Sequence, residues 1–588
     1  MPSTTTVLGI SAYFHDAAAC LVRDGEVVAA VQEERLSRVR NDRRFPRAAI
    51  RSCLEVAGVA AREVDVVAFY EKPHRKLERI LASARFWYPL GADAFVAAMR
   101  SAGHTAWLPR RLAAELDTTL ADGRRGGRWD GPVVYTAHHE SHAASAYFPS
   151  PFDRAAILVV DGVGEWATTS IGAGARDARG VPRLRMLAEI RFPHSLGLLY
   201  SALTAFLGFE VNSDEYKVMG LAAYGRPRFA ELLREHLVDL HPDGSFALNL
   251  QHFAFGWSPV MFAESLGPLL GMRPRSEHDP IEPGHADLAA SLQVVLGEAL
   301  LGLATRAREL TGERRLCLAG GVALNSVANG LLLRSGLFDE IWIQPAAGDA
   351  GGALGAALHT WHEVLGERPA PRENGHDDGM RGALLGPSFG NEEVVAALER
   401  RRMRYERLDP QATVPRTAEL LAAGRVVGWF QGRMEFGPRA LGSRSILADP
   451  RPDDMQERLN ARIKFREGFR PFAPIVLAEE ASSWFGLDAP SPYMLLVAPV
   501  VRQEVPACTH VDGSARIQTV DRRHSPRLAA LLGTFAGLTG VPVLVNTSFN
   551  LRGEPIVCTP DEALSTFERS EIDAVVLGDC IALREDQR

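Results

Sequence analysis

Between residues 133 and 169 the chain places a short apolar strand, a histidine-bearing segment closed by prolines, and a second apolar strand that ends on an acid. The run reads VVYTA, HHESHAASAYF, PSPFDR, AAILVV, DGVGEWATTS. Residues 133–137 have the unbroken apolar character of a buried strand, and 138–148 continue as a helix until Pro149 and Pro151 stop it. His138 and His142 are four apart, so on a helix both imidazoles face one spot. Asp161 closes the next apolar run, and Gly162 and Gly164 turn the chain behind it. A carboxylate at a buried strand end, beside turn glycines, can close a two-histidine, one-carboxylate metal site. The same residues are also compatible with two surface histidines and a turn-capping aspartate, so the neighbouring motifs must decide.

Those motifs sit in a chain of 588 residues, long enough for two or three cores. Apolar content of 46% and charged content of 23% are ordinary for a globular enzyme. The formal net charge of −7, without a long basic run, argues against nucleic acid or an anionic membrane as the main partner. Six scattered cysteines form no CxxC pair, which excludes a zinc ribbon and gives no disulfide framework. The N-terminus MPSTTTVLGI lacks a signal-peptide pattern and no run of 18 apolar residues is evident, so the expected compartment is the cytoplasm.

Along the chain, strand-like runs at 6–10, 17–22 and 27–32 surround an Arg-Asp-Gly turn, a hairpin signal. The strand, DGVGEW, strand unit at 155–169 is a second such element. LCLAGGVALN at 316–325 and PAAGDAGGALGAAL behind the strand 341–344 are glycine-rich, and 288–310 reads as one amphipathic helix ended by Thr311-Gly312. This order resembles the two-lobed actin/sugar-kinase/Hsp70 ATPase fold, in which backbone N–H groups at glycine turns approach phosphate. The predicted architecture is therefore α/β: an actin/Hsp70-like two-lobed domain over 1–366, a Pro-, Gly- and charge-rich linker over 367–382, and an α+β domain over 383–588 with helices at 392–401 and 414–423 and a strand at 426–430.

Three segments of the second domain interleave cations with turn residues and aromatics. GRMEFGPRALGSRS carries Arg433, Arg439 and Arg444; KFREGFRPFAP carries Lys464, Arg466 and Arg470; PVLVNTSFN ends an apolar strand in Asn546, Thr547, Ser548 and Asn550. Guanidinium forks match phosphate and carboxylate oxygens, and amides or hydroxyls orient a carbonyl. Together these segments read as a small-anion pocket, although surface arginines lying on aromatics give a similar pattern. HVDGSAR adds Arg516, and His510 as a candidate acid or base.

Taken in order, the motifs FHDAAACLV, EERLSRVRND, YEKP, HHESHAASAYFPSPF, DGVGEWATTS, LAGGVALN, GRMEFGPRALGSRSILADPR, KFREGFRPFAP, HVDGSARIQTV and PVLVNTSFNLRGEPIVCTP resemble the O-carbamoyltransferases of the NodU/CmcH type, which modify nodulation factors and antibiotics. The likeness spans nearly the whole chain. It implies a threonylcarbamoyl-transferase-like N-terminal domain and a YrdC-like C-terminal domain. The latter would make carbamoyl-adenylate from carbamoyl phosphate and ATP, and the former would pass the carbamoyl group to a hydroxyl, with AMP leaving. The rival within the same folds is a tRNA threonylcarbamoyladenosine-type enzyme, against which the missing basic face counts.

By the same resemblance, His138, His142, Asp161 and Asp349 would hold a divalent metal, iron(II) or another, with magnesium a further candidate. Gly320, Gly321 and Asn325 would contact adenosine, Arg40 the nucleotide, and Lys72 the carbamoyl group. Arg433, Arg439, Arg444, Lys464, Arg466 and Arg516, with Asn546 and Ser548, would bind the phosphates of carbamoyl phosphate and ATP. His15 is the candidate general base for the acceptor hydroxyl, since a neutral imidazole suits that proton transfer. The expected acceptor is a small-molecule natural product with a free hydroxyl, such as a macrolide or aminoglycoside sugar. A homodimer is an admissible assembly, and neither nucleic acid nor membrane is an expected partner.

Overall fold

In the computed structural model, which describes residues 4–88, 96, 102–120, 129–258, 260–370 and 378–587, the chain divides into two compact units. The first comprises Met1–Ala30 with Arg43–Pro371, and the second Val31–Asp42 with Arg372–Arg588. The segment Val31–Asp42 thus leaves the N-terminal portion of the chain for the second unit, a departure from the simple division expected of the sequence. Part of the expected linker, 371–377, lies outside the described residues.

The first unit is built on one topology used twice. Thr6–Ser11 lies at the centre of the first sheet, paired antiparallel with Ala18–Arg23 on one side and parallel with Val66–Phe69 on the other. Glu26–Gln32 and Val133–Tyr135 complete the two edges. In the second sheet Ala155–Val160 takes the central place, antiparallel to Ala167–Arg176 and parallel to Arg315–Ala319, with Pro182–Arg191 and Glu340–Ile343 at the edges. Central strands so placed are covered on both faces, which is why they read as continuous apolar runs. The first hairpin turns on Asp24 and Gly25, both at positive φ, as the Arg-Asp-Gly signal predicts.

After its fifth strand each lobe sends out a helix, His138–Tyr147 from the first and Asp349–His359 from the second. Each helix packs on the other lobe's sheet: the first against Ala155–Val160 and Arg315–Ala319, the second against Thr6–Ser11 and Ala18–Arg23. The helices also touch one another, and so closely that a Cβ on Gly355 would lie 1.7 Å from the Ser141 carbonyl oxygen. That glycine is a condition of the helix crossing. The crossing brings strand ends and helix starts of both lobes to one place.

The predicted amphipathic helix runs Pro283–Thr311 and stops at Gly312, in the left-handed region at φ 68°. An 18-residue window of it has mean hydropathy 1.6, so by length and composition it could cross a membrane, contrary to the absence of such a run expected from the sequence. That window is 72% buried, and the helix packs against Ala222–Tyr224, Ala230–His236 and Ser326–Arg334. Its apolar character is that of a core element. All six cysteines are free and buried.

The second unit is α+β, around a mixed nine-stranded sheet in which Val427–Phe430, Arg444–Ala448, Val543–Ser548, Ala473–Leu477 and Ser514–Val520 are successive neighbours. The predicted helices appear as Asn391–Arg400 and Pro410–Ala422. Phe430, Ile446, Val545, Phe549, Phe567 and Leu577 lie in its buried core.

Candidate active site

The first unit gathers four buried ligand-type side chains. One ligand atom from each of His138, His142, Asp161 and Asp349 lies within 4.8 Å of all the others. The two Nε2 atoms face each other at 3.1 Å; His138 Nε2 is 3.2 Å from an Asp161 oxygen, and both rings stand 3.6 Å from Asp349 Oδ1. Duplication explains the convergence. Asp161 ends the central strand of one lobe, the histidines start the last helix of the other, and Asp349 opens the matching helix behind Gly348.

Fixed partners hold this geometry. Asp161 Oδ1 accepts the Gly321 N–H at 2.9 Å, tying the strand end to the glycine pair. Gly320 is at φ 88°, and a Cβ there would meet the Val160 carbonyl oxygen at 2.2 Å. The buried Glu165 carboxylate accepts the backbone N–H groups of His138 and Lys72, so it sits at the positive end of the histidine helix. Burial works against charge on His138, but Asp349 and Asp161 outweigh it and raise the imidazole to about 9. Burial disfavours the Asp161 carboxylate too, yet the His138 hydrogen bond and the surrounding imidazoles hold it well below the usual range.

A second oxygen of Asp349 is buried without a hydrogen-bond partner among the described residues. Two imidazole nitrogens facing one another, two carboxylates around them and one orphaned oxygen make a donor set that fits a divalent cation. His15, at the end of the first lobe's central strand, stands beside it. Its Nδ1 is 3.0 Å from Asp16 Oδ2 and its Nε2 is 3.9 Å from Asp349 Oδ2. Burial opposes its protonation, but Asp349 and then Asp16 raise it to about 10. Lys72 lies on the same rim, its Nζ 3.8 Å from Glu140 on the histidine helix.

The second unit gathers cations instead. Arg516 and Gln518 share one face of the strand Ser514–Val520, and Asn546 and Ser548 share one face of Val543–Ser548. The 2.8 Å hydrogen bond from Asn546 Nδ2 to Gln518 Oε1 shows that these are the same face of the sheet. Among the described residues Arg516 has no hydrogen-bond or ion-pair partner, and its Nε is buried. Burial, then Arg439, Arg466 and Arg470, press its guanidinium well below the ordinary arginine range. Asn546 is buried with its Oδ1 unpartnered. Arg466 donates to Asn460 Oδ1 and Arg470 pairs with Glu467, so Arg516 beside them, with the amide oxygen of Asn546 on the same sheet face, forms a cationic cup whose chemistry suits an anion that also carries N–H donors.

Several sequence candidates carry hydrogen bonds that hold the fold. Arg444 is fully buried over the Phe430 ring at 3.6 Å, and donates to the carbonyls of Gln431, Gly432, Ser443, Pro387 and Cys558. Arg433 donates to the Gly386 and Leu385 carbonyls. Asn325 caps its helix at the Ala328 N–H and exchanges hydrogen bonds with Gln293. Lys464 is buried and donates to the carbonyls of Ser548 and Asn550 and to Asn550 Oδ1 at 2.6 Å, which makes it the brace of the Ser548 loop. Arg40 is exposed and belongs to the second unit.

Glu165, Asp16 and Gln518 contact the candidate site residues and are neighbours that motif reading passed over. Their signals were present: a carboxylate inside a glycine-rich turn, an acid adjacent to the candidate base, and an amide two residues from Arg516 on one strand face.

A first unit built on one topology used twice, with a buried cluster of ligand-type side chains, thus stands on one chain with an arginine-rich α+β unit. The chain belongs to the carbamoyltransferase family: the carbamoyltransferase N-terminus model matches residues 6–358, and the carbamoyltransferase C-terminus model residues 418–584. Protein sll1178 of Synechocystis sp. is 49% identical, over 99% of this chain and 97% of its own length. Nodulation protein NolNO of Sinorhizobium fredii is 40% identical over 96% of this chain and 78% of its own, and nodulation protein U of the same species 30% identical over 92% of each.

Proposed function

We propose that this carbamoyltransferase is an ATP-dependent O-carbamoyltransferase working in two steps. In the second unit, carbamoyl phosphate loses its phosphate to water, and the resulting carbamate oxygen attacks the α-phosphorus of ATP with pyrophosphate as leaving group. Carbamoyl-adenylate results. The observation that carries this reading is Arg516: a guanidinium without a counter-charge among the described residues, amid Arg439, Arg466 and Arg470, suits the negative charge of two phosphorylated substrates. Asn546 Oδ1, buried and open, suits the amide end of the carbamoyl group, and Ser548 lies on the same strand face.

In the first unit the acceptor hydroxyl attacks the carbonyl carbon of carbamoyl-adenylate, and AMP departs on its phosphate oxygen. With Asp349 engaged by a cation, the carboxylate that holds the second proton on His15 would be neutralised, and His15 then takes the hydroxyl proton at Nε2 while the contact with Asp16 keeps the Nδ1 proton in place. His138, His142, Asp161 and Asp349 would hold a divalent ion, iron(II) by resemblance, and such an ion supplies positive charge that polarises the transferred group and competes with the His15 imidazolium for Asp349. Gly320 and Gly321 present a backbone without side chains where the adenylate would lie. The acceptor we propose is a hydroxyl of a natural product, a sugar hydroxyl foremost.

The test is acceptor-free turnover. Protein given ATP, carbamoyl phosphate and iron(II) or magnesium should release pyrophosphate with no alcohol present, and Arg466→Ala should abolish that release. No pyrophosphate under any metal condition, with the protein folded by thermal melt, would overturn the two-step scheme.

A further inference from the structure

A segment distant in sequence is hydrogen-bonded to loops on two sides of the anion cup. Val31–Asp42 belongs to the second unit, and its side chains explain why. Gln32 Oε1 accepts the Gly437 N–H at 3.3 Å, and the buried Arg35 donates from Nη2 to the Gly437 carbonyl at 2.8 Å and to Gln32 Oε1 at 3.1 Å. Glu34 fixes the arginine, its Oε1 lying 2.8 Å from Arg35 Nε, while its Oε2 accepts the Asn41 N–H. Arg38, three residues on, donates to the carbonyls of Pro555 and Ile556, each at 2.7 Å.

Both anchor points lie on loops that carry cup residues. Gly437 is at φ 128° and stands two residues before Arg439. The same loop is joined to the cup floor through the Ala440 carbonyl, which accepts from Asn546, and the Leu441 carbonyl, which accepts from Gln518. Pro555 and Ile556 follow Glu554, whose carbonyl accepts from Asn550 Nδ2, and Asn550 Oδ1 in turn accepts from Ser548 Oγ and Lys464 Nζ. One clasp therefore reaches Arg439 along one loop and Ser548 with Lys464 along the other.

We propose that Gln32, Arg35 and Arg38 are positioning residues for the anion cup, setting the separation of its Arg439 and Ser548 walls. The proposal rests on the reading of the cup as the carbamoyl phosphate and ATP site. The physical ground is that a buried guanidinium with a carboxylate, an amide and a carbonyl as partners is a rigid strut, and misplacing groups by about 1 Å costs on the order of a hundredfold in kcat/KM, carried here by KM because the groups it positions bind the substrate. It also means that residues 372–588 alone lack part of their own site.

The experiment uses the full chain. Gln32→Leu, Arg35→Ala and Arg38→Ala are compared with wild type in acceptor-free pyrophosphate release, in calorimetric binding of inorganic pyrophosphate, in iron content and in thermal melting. The expected result is a KM for carbamoyl phosphate raised about 10- to 100-fold by Arg35→Ala, and less by Arg38→Ala and Gln32→Leu, with kcat changed less than KM and iron content kept. Arg38→Ala, at a half-buried site, keeps the test valid if Arg35→Ala melts early. Variants that fold and keep the wild-type KM and pyrophosphate affinity overturn the clasp. So does a fall in kcat with unchanged KM, or a parallel loss of iron, since either would mark a general structural role. If wild type releases no pyrophosphate yet binds it in an Arg35-dependent way, the clasp stands and the two-step reading fails.

Discussion

The two polar centres of this chain answer burial in opposite ways. In the first unit, imidazoles and carboxylates neutralise one another: His138 is raised to about 9 while Asp161 is pushed down. In the second, the neighbours that act on Arg516 after burial are three more guanidiniums, and all of them push the same way. The first centre can stay intact by holding protons, which a bound cation would replace. In the second, Arg470 pairs with Glu467 and Arg466 donates to Asn460, but Arg516 has no such partner among the described residues, so an incoming anion would relieve it. The sign of the missing partner can thus be read from which groups a site leaves uncompensated.

The sharpest separation of the two centres comes from His15→Asn. Loss of a general base typically costs on the order of 10²–10⁴-fold. Carbamoyl transfer to an alcohol, followed by mass spectrometry of the product, should fall by that factor while acceptor-free pyrophosphate release persists. Equal loss of both would mean that His15 does not belong to transfer alone. Arg516→Ala should produce the reverse pattern. Removing one donor from a preorganised charge-stabilising site costs about 10²–10³-fold, so pyrophosphate release should drop by that amount with iron content unchanged. If Arg516→Ala instead melted higher and kept full activity, the cup would be a strained surface and not a binding site.

How far each centre was legible in the sequence follows from how it is built. His138 and His142 announce themselves because helix periodicity and the stopping prolines are local, and Asp161 because a strand run ends on it. Asp349 needed the family resemblance, since nothing in GDAGGALG says that its helix will cross to the other lobe's sheet. In the second unit, composition showed that arginines gather but not which of them face a ligand. Arg444 and Arg516 look alike in sequence, yet among the described residues one donates to five carbonyls and the other to none. That distinction depends on strand pairing between segments about a hundred residues apart, Arg444–Ala448 with Val543–Ser548, and on loops returning over them. The clasp lay further out of reach: EERLSRVRND is readable as a charged helix end, whereas its partners near 437 and 555 are set only by tertiary packing.

Metal affinity gives a test on the first centre alone. Asp161→Asn keeps the shape of the side chain but removes a charge, and it leaves His138 Nε2 facing a neutral amide. Bound iron, measured by elemental analysis after dialysis, should fall by at least about 100-fold in affinity, beyond the range seen when only an outer partner of a ligand is lost. Pyrophosphate release should be untouched. A variant that retained stoichiometric iron would remove Asp161 from the ligand set.

The smallest effect is on stability, and it distinguishes a proton-filled cluster from a metal-filled one. A histidine whose folded value is raised stabilises the native state fully at pH below its ordinary 6.5, and that contribution disappears as the pH climbs through its folded value, here about 9 for His138. Chelator-treated protein should therefore lose thermal stability between pH 6.5 and 9 as the imidazolium–carboxylate pairs come apart. Loading with iron(II) requires neutral imidazoles and so releases protons, and the bound ion takes over the electrostatic role that the protons held. The melting temperature of the loaded protein should then stay flatter across the same window. Identical pH profiles with and without metal would show that the four side chains never exchange protons for a cation, and the contrast between the two centres would lose its physical basis.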